Sequence, residues 1–261
     1  LLHYSSGAPG QNIVFLLLIS NGVTLPVGFK LYEPDPTIKV RKEECKRLKA
    51  KGVSKKYYPQ PVKRSSDYPT QVELALELIE EFTNDHKEIN IIAIIADTLY
   101  GTKYFIEKAS LFGAQVITEI KSTQHIKVNN KFVVISEFFK QYNGLQESIT
   151  LSYNNQLVQY VTAKFTVKAL QKKCLVIALK YEGEESYRYL IASNLSWQPI
   201  DVIKAYANRW LIEVFIQDWK SYEGWESMAK QPGIDGSIRG ITLSLLCDHA
   251  LLTHDEKNSL V

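Results

Sequence analysis

Residues 199–220, PIDVIKAYANRWLIEVFIQDWK, are apolar in almost every direction a helix can face, and this limits the possible folds more than any other stretch. An α-helix turns about 100° per residue, so Arg209, Glu213 and Lys220, counted from Tyr206, fall at roughly 300°, 340° and 320°. The four polar residues then share about a sixth of the circumference. The other directions are taken mostly by Ile203, Ala207, Trp210, Leu211, Ile212, Val214, Phe215, Ile216 and Trp219. A helix packed on several sides leaves its polar stripe only water or a site to face. Two readings stay open. One is a solvated face with an Arg209–Glu213 pair worth a few tenths of a kcal/mol. The other is a phosphate-binding group, since Arg before Glu is the weaker ordering for such a pair and a tyrosine in line with a carboxylate and two cations suits a phosphate.

The rest of the chain supplies layers for such a helix. Residues 11–31 read as two apolar strands joined through Asn21-Gly22, the strongest short hairpin signal. INIIAIIAD is a short apolar run ending on Asp97, as in a central strand buried on both faces. A carboxylate just past such a strand points into the crevice where α/β sheets bind ligands, or else caps the following turn. VELALELIEEF has the period of an amphipathic helix, TKYFIEKASLF forms another that ends at Gly113, and AQVITEI reads as a strand. From 121 to 196 the texture becomes short alternating runs, SITLSY, VTAKFTVKA, KCLVIALKY and SYRYLIAS, which predict antiparallel β, with SEFFKQY as a short helix. A final helix is expected over ITLSLLCDHALL, after the Gly-rich QPGIDGSIRG.

Composition excludes some classes. With 45% hydrophobic and 23% charged residues, the chain is neither disordered nor membrane-like. A net charge of +3 proves no partner, but its distribution is uneven. From Asp35 to Thr70 there are eleven Lys or Arg against four Asp or Glu. This window is a solvated helix or loop, or an arm that tracks phosphates. Lys164, Lys168, Lys172 and Lys173 offer further cations, though solvated strand faces account for them as well. Three scattered cysteines form no disulfide or zinc pattern, and the composition fits a reducing, cytoplasmic setting.

The spacing Tyr-x2-Arg-x3-Glu-x6-Lys, filled by Tyr206, Arg209, Glu213 and Lys220 within YANRWLIEVFIQDWK, resembles the signature of bacterial insertion-sequence transposases of the DDE class, insertion-sequence-four branch. The resemblance implies an α/β fold: an RNase H-like mixed sheet flanked by helices, with an antiparallel β-rich insertion before the glutamate helix. Its parts would be core residues 1–120, an insertion at 121–196, and the glutamate and C-terminal helices at 197–261. Tyr100-Gly101 also resembles the residues just after the family's second aspartate. The resemblance then implies Asp97 and Glu213 as catalytic metal ligands, and Tyr206, Arg209 and Lys220 as DNA contacts. Two Mg²⁺ or Mn²⁺ ions and double-stranded DNA, both transposon ends and target, are implied as cofactor and partner, with a homodimer on paired ends.

The family's first aspartate belongs on a strand ahead of the hairpin, but no aspartate precedes Asp35, which sits in a Pro-Asp-Pro loop. That strand is expected before Leu1, so the chain reads as a fragment of a longer transposase or the remnant of a broken one. Two alternatives to an active transposase remain: a DNA-binding remnant without activity, and an RNase H-like nuclease that cuts without joining.

Overall fold

The computed structural model describes residues 2–4, 12–20, 22–142, 144, 146–151, 156–222 and 233–253. Strands β2 (Asn12–Ser20) and β3 (Val23–Tyr32) form the expected hairpin, paired antiparallel from Asn12↔Tyr32 to Ser20↔Val23. Gly22 takes φ +81° at the turn, where a side chain would be strained; Asn21 lies outside the described residues. A three-residue strand, β1 (Leu2–Tyr4), runs antiparallel along the other edge of β2 through Leu2↔Phe15, His3↔Val14 and Tyr4↔Ile13. This strand carries no aspartate. Three residues are too few for alternation to be legible in sequence.

The second sheet has the order β4-β5-β11-β10-β9-β6-β7, with β8 on β9. It comprises β4 (Ala93–Ala96), β5 (Gln115–Ile120), β6 (His125–Val128), β7 (Lys131–Val134), β8 (Glu147–Thr150), β9 (Leu157–Val167), β10 (Lys172–Tyr181) and β11 (Arg188–Ala192). Among the described residues only β4 and β5 pair in parallel, and the other pairs are antiparallel. The β-rich stretch thus extends the same sheet, joined to the core through β11 on β5. The β6–β7 hairpin, unread in the sequence, turns through Asn129 and Asn130, both with positive φ.

Helix α1 (Pro36–Ala50) carries the first part of the basic window and has no buried residue. It is held at its start by Asp35, only 2% exposed, whose Oδ1 accepts from the Thr37 and Ile38 amides and whose Oδ2 accepts from the Ser65 amide. Helix α2 (Gln71–Asp85) opens on a capping box: Thr70 Oγ1 accepts from the Glu73 amide and Glu73 Oε2 from the Thr70 amide. Its buried Leu74, Ala75, Leu78 and Ile79, with Phe105, Ile106 and Ala109 of α3 (Lys103–Ala109), cover one face of the structure, including Val14, Ile94, Val116 and Val176. The short α4 (Ile135–Lys140) adds Ile135 and Phe139 to that layer.

The single helix expected over 199–220 is instead two, α5 (Pro199–Ala207) and α6 (Trp210–Tyr222). The break has a packing cause. Val202, Ile203, Tyr206 and Ala207 of α5 pack on Ile117, Ile177 and Leu190 of the larger sheet. Ile212, Phe215, Ile216 and Trp219 of α6 pack on Ile13 and Phe15 of the hairpin, together with α7 (Gly233–Thr253). Between them the amides of Asn208, Arg209, Leu211 and Ile212 bond three residues back, a tighter winding that turns the chain from one sheet to the other. The Gly-rich lead expected before the last helix is partly helical, since α7 already begins at Gly233. Among the described residues, no helix is long and apolar enough to cross a membrane.

Candidate active site

Because β4 and β5 are parallel with Ala96↔Thr118 in register, Asp97 and Glu119 are the next pair at their carboxyl ends. Alternation puts both on the face that carries Ile95 and Ile117, the face α5 covers. Asp97 leaves the strand extended, and its Oδ1 accepts from the Leu99 amide at 2.8 Å, so it also caps the turn Thr98–Tyr100. That turn lies tight against β5: a Cβ on Gly101 would come within 2.7 Å of the Glu119 carbonyl oxygen. The Tyr100 ring is buried beneath it, and burial, helped by the Asp97 charge, pushes its phenol pKa up.

Tyr206, at the end of α5, is 4% exposed and donates its phenol to Glu119 Oε2 at 3.1 Å. Burial, then the Glu119 charge, raises its pKa. The Arg209 guanidinium lies over the Tyr206 ring, 5.9 Å from its centroid, and pairs with Glu213 Oε1 at 2.8 Å. Burial opposes the Arg209 charge, but its neighbours outweigh this and hold its pKa above the usual value. A continuous path thus runs from the strand ends through Glu119, Tyr206 and Arg209 to Glu213.

An open hollow of about 390 Å³ lies over this path, lined by Gln156, Tyr181, Glu184, Arg188, Tyr206, Ala207, Arg209, Trp210 and Glu213. Arg188 Nε donates to Glu184 at 3.1 Å along its edge. A larger hollow, about 1040 Å³, lies against α2 and α3 and contains none of the site residues.

The structure brings Tyr206, Arg209 and Glu213 together around one hollow, as the spacing implies, but not on one exposed stripe. Tyr206 faces the sheet and only Glu213 is largely exposed. Lys220 is half-buried further along α6, outside the lining of this hollow. Asp97 joins the group only through its register neighbour Glu119, which sequence reasoning missed. The available signal was a lone carboxylate near the end of an apolar strand, AQVITEI.

Carboxylate oxygens of this kind suit a hard divalent cation such as Mg²⁺. The donor chemistry of Asp97, Glu119 and Glu213 therefore fits a metal. Their positions do not make a three-ligand centre, because no cluster of three or more metal-ligating side chains occurs among the described residues.

The mixed sheet flanked by helices, with carboxylates at the ends of its parallel strands, is that of an RNase H-like α/β protein. The family described as "Archaeal putative transposase ISC1217" matches residues 54–246, and the chain belongs to this DDE transposase family. Among curated proteins, none matches the chain significantly. The match covers Asp97, Glu119 and the Tyr206–Lys220 segment. The bacterial insertion-sequence-four branch rests on the four-residue spacing alone.

Proposed function

We propose that this chain is a transposase catalytic domain that binds transposon-end DNA and breaks and rejoins its phosphodiester backbone, with 121–196 as an insertion that lengthens the core sheet. The observation that carries this reading is the path from the carboxyl ends of β4 and β5 to Glu213 through Glu119, Tyr206 and Arg209. Asp97 and Glu213 would hold divalent metal, Mg²⁺ or Mn²⁺, and two such ions supply an activated nucleophile and relief of charge at the phosphate. Arg209 presents a planar fork suited to a phosphate, kept in place by the Tyr206 ring beneath it and by Glu213. Tyr206 acts from below: its phenol is committed to Glu119, so it supports Arg209 and does not itself meet a phosphate. Lys220 adds a point charge further along α6. A homodimer on paired transposon ends belongs to the same reading.

The test is cleavage of a labelled duplex in Mg²⁺ or Mn²⁺. Glu213→Gln should abolish metal-dependent cleavage while leaving DNA binding largely intact, and continued cutting by that variant removes Glu213 from the set of metal ligands. Branched or inserted products mark a transposase, and cutting without joining marks a nuclease. One observation favours a DNA-binding chain without activity: the described carboxylates do not reach a cluster of three. Salt-sensitive binding with no nicking at any metal concentration would support that second reading.

A further inference from the structure

The sheet face that carries Glu119 continues past α5 onto a second charged hollow. Lys173 pairs with Thr166, and Thr166 with Lys127, so the three occupy one row across β10, β9 and β6. Lys164 sits two residues along β9 from Thr166 and pairs with Leu175, whose side chain packs in the layer under α5. The lysines therefore emerge on the same face as the candidate active site. They enclose an open hollow of about 340 Å³ together with Asn129, Asn130 and Thr166.

The charges in this hollow are uncompensated. Lys127, Lys164 and Lys173 are exposed, and among the described residues none is in an ion pair. Like charges set close together on a sheet repel one another. Strand register nevertheless holds Lys127 and Lys173 about 10 Å apart, with Lys164 about 7 Å along from Thr166 between them. A duplex presents one negative charge per ~1.7 Å of axis, so it offers about six charges over that width. On a flat sheet Lys164 and Lys173 lie about 16 Å from Glu119, counted in strand spacings and residue rises. That is about half of a ~34 Å duplex turn, so DNA lying on this face meets the site and the lysines across one groove.

We propose that Lys127, Lys164 and Lys173 form a phosphate-binding surface for the same double-stranded DNA that enters the active site; the proposal rests on the transposase reading. The surface neutralises backbone charge and sets the direction in which the duplex leaves the site. It reads no bases.

The test compares the protein with its Lys127→Ala/Lys164→Ala/Lys173→Ala variant in binding a labelled duplex between 50 and 200 mM salt. Each lost phosphate contact lowers the slope of log affinity against log salt by about 0.9, so three contacts lower it by about 2.7. The affinity gap between the two proteins should then shrink about 40-fold across that salt range. The corresponding triple Lys→Arg variant, which keeps the charges, should retain the slope of the parent. An Ala variant with the parent's slope overturns the proposal and leaves the transposase reading intact, even if its affinity falls uniformly. A parent protein with no salt-dependent duplex binding overturns the transposase reading, and this surface with it.

Discussion

Replacing Tyr206 by phenylalanine removes one oxygen from the centre of the site, and the structure sets how much this should cost. The phenol is 4% exposed and donates to a charged acceptor, Glu119 Oε2, at 3.1 Å. A hydrogen bond to a charged partner contributes about 1.5–3 kcal/mol, and Glu119 is only half-buried, so water competes for its carboxylate. A cost of about 1–2 kcal/mol is expected for Tyr206→Phe. Glu119→Met, which keeps the volume but not the acceptor, should lose the same interaction. Urea unfolding of the parent, both single variants and the double variant should then give a coupling energy of about 1–2 kcal/mol. Costs that add within about 0.3–0.5 kcal/mol would refute the Tyr206–Glu119 link and the path built on it. Burial of Tyr206, aided by the Glu119 charge, also has a pH signature. The folded-state pKa of Tyr206 is raised, so its contribution is complete below the unfolded phenol pKa of about 10 and is lost as pH climbs toward the folded value. Above about pH 10 the parent should lose stability that Tyr206→Phe does not.

Other positions test the supports of the site. Gly101→Ala brings a Cβ against the backbone oxygen of Glu119, and should destabilise by about 1–3 kcal/mol in thermal melts and reduce DNA cleavage by displacing the Asp97 turn. Phe15, 1% exposed, meets Phe215 and Trp219 edge-on with ring centroids 5.6 and 5.2 Å away. Phe15→Ala should cost about 3–5 kcal/mol by urea unfolding, whereas Leu111→Ala, at a residue 78% exposed, should stay within about 0.5 kcal/mol. Asp35 has its pKa lowered to about 2 by its bonds to the Thr37 hydroxyl and the Ser65 amide. Its contribution is present above the unfolded pKa of about 3.9 and lost as pH falls toward 2, so an acid titration of α1 helicity should show a step in this range in the parent that Asp35→Asn lacks.

Elements with a strong period or a strong cap were legible in the sequence. The β2–β3 hairpin, α2, β5 and the β9–β11 run lie where turn residues and apolar spacing put them. The break at Asn208–Arg209 was not legible, because the apolar residues on either side keep a helical spacing while packing on two different sheets. A pattern reports that a face is buried but not which surface buries it. For the same reason Tyr206 reads as part of an exposed stripe with Arg209 and Glu213, although it turns inward to Glu119. Glu119 and the row Lys127–Thr166–Lys173 depend on strand order and register, which join residues far apart in the chain. Local patterning carries neither.

The proposed function places Asp97 and Glu213 on one divalent-metal site, with Glu119 beside Asp97 at the neighbouring strand end, although the three come from separate elements. The most direct measurement replaces Mg²⁺ by Fe²⁺, adds ascorbate and peroxide, and maps where the bound iron cuts the polypeptide. The account predicts cuts beside residues 97, 119 and 213 together, all suppressed by excess Mg²⁺ and all weakened in Glu213→Gln. Cutting at only one of these segments, or a pattern indifferent to Mg²⁺, would contradict it.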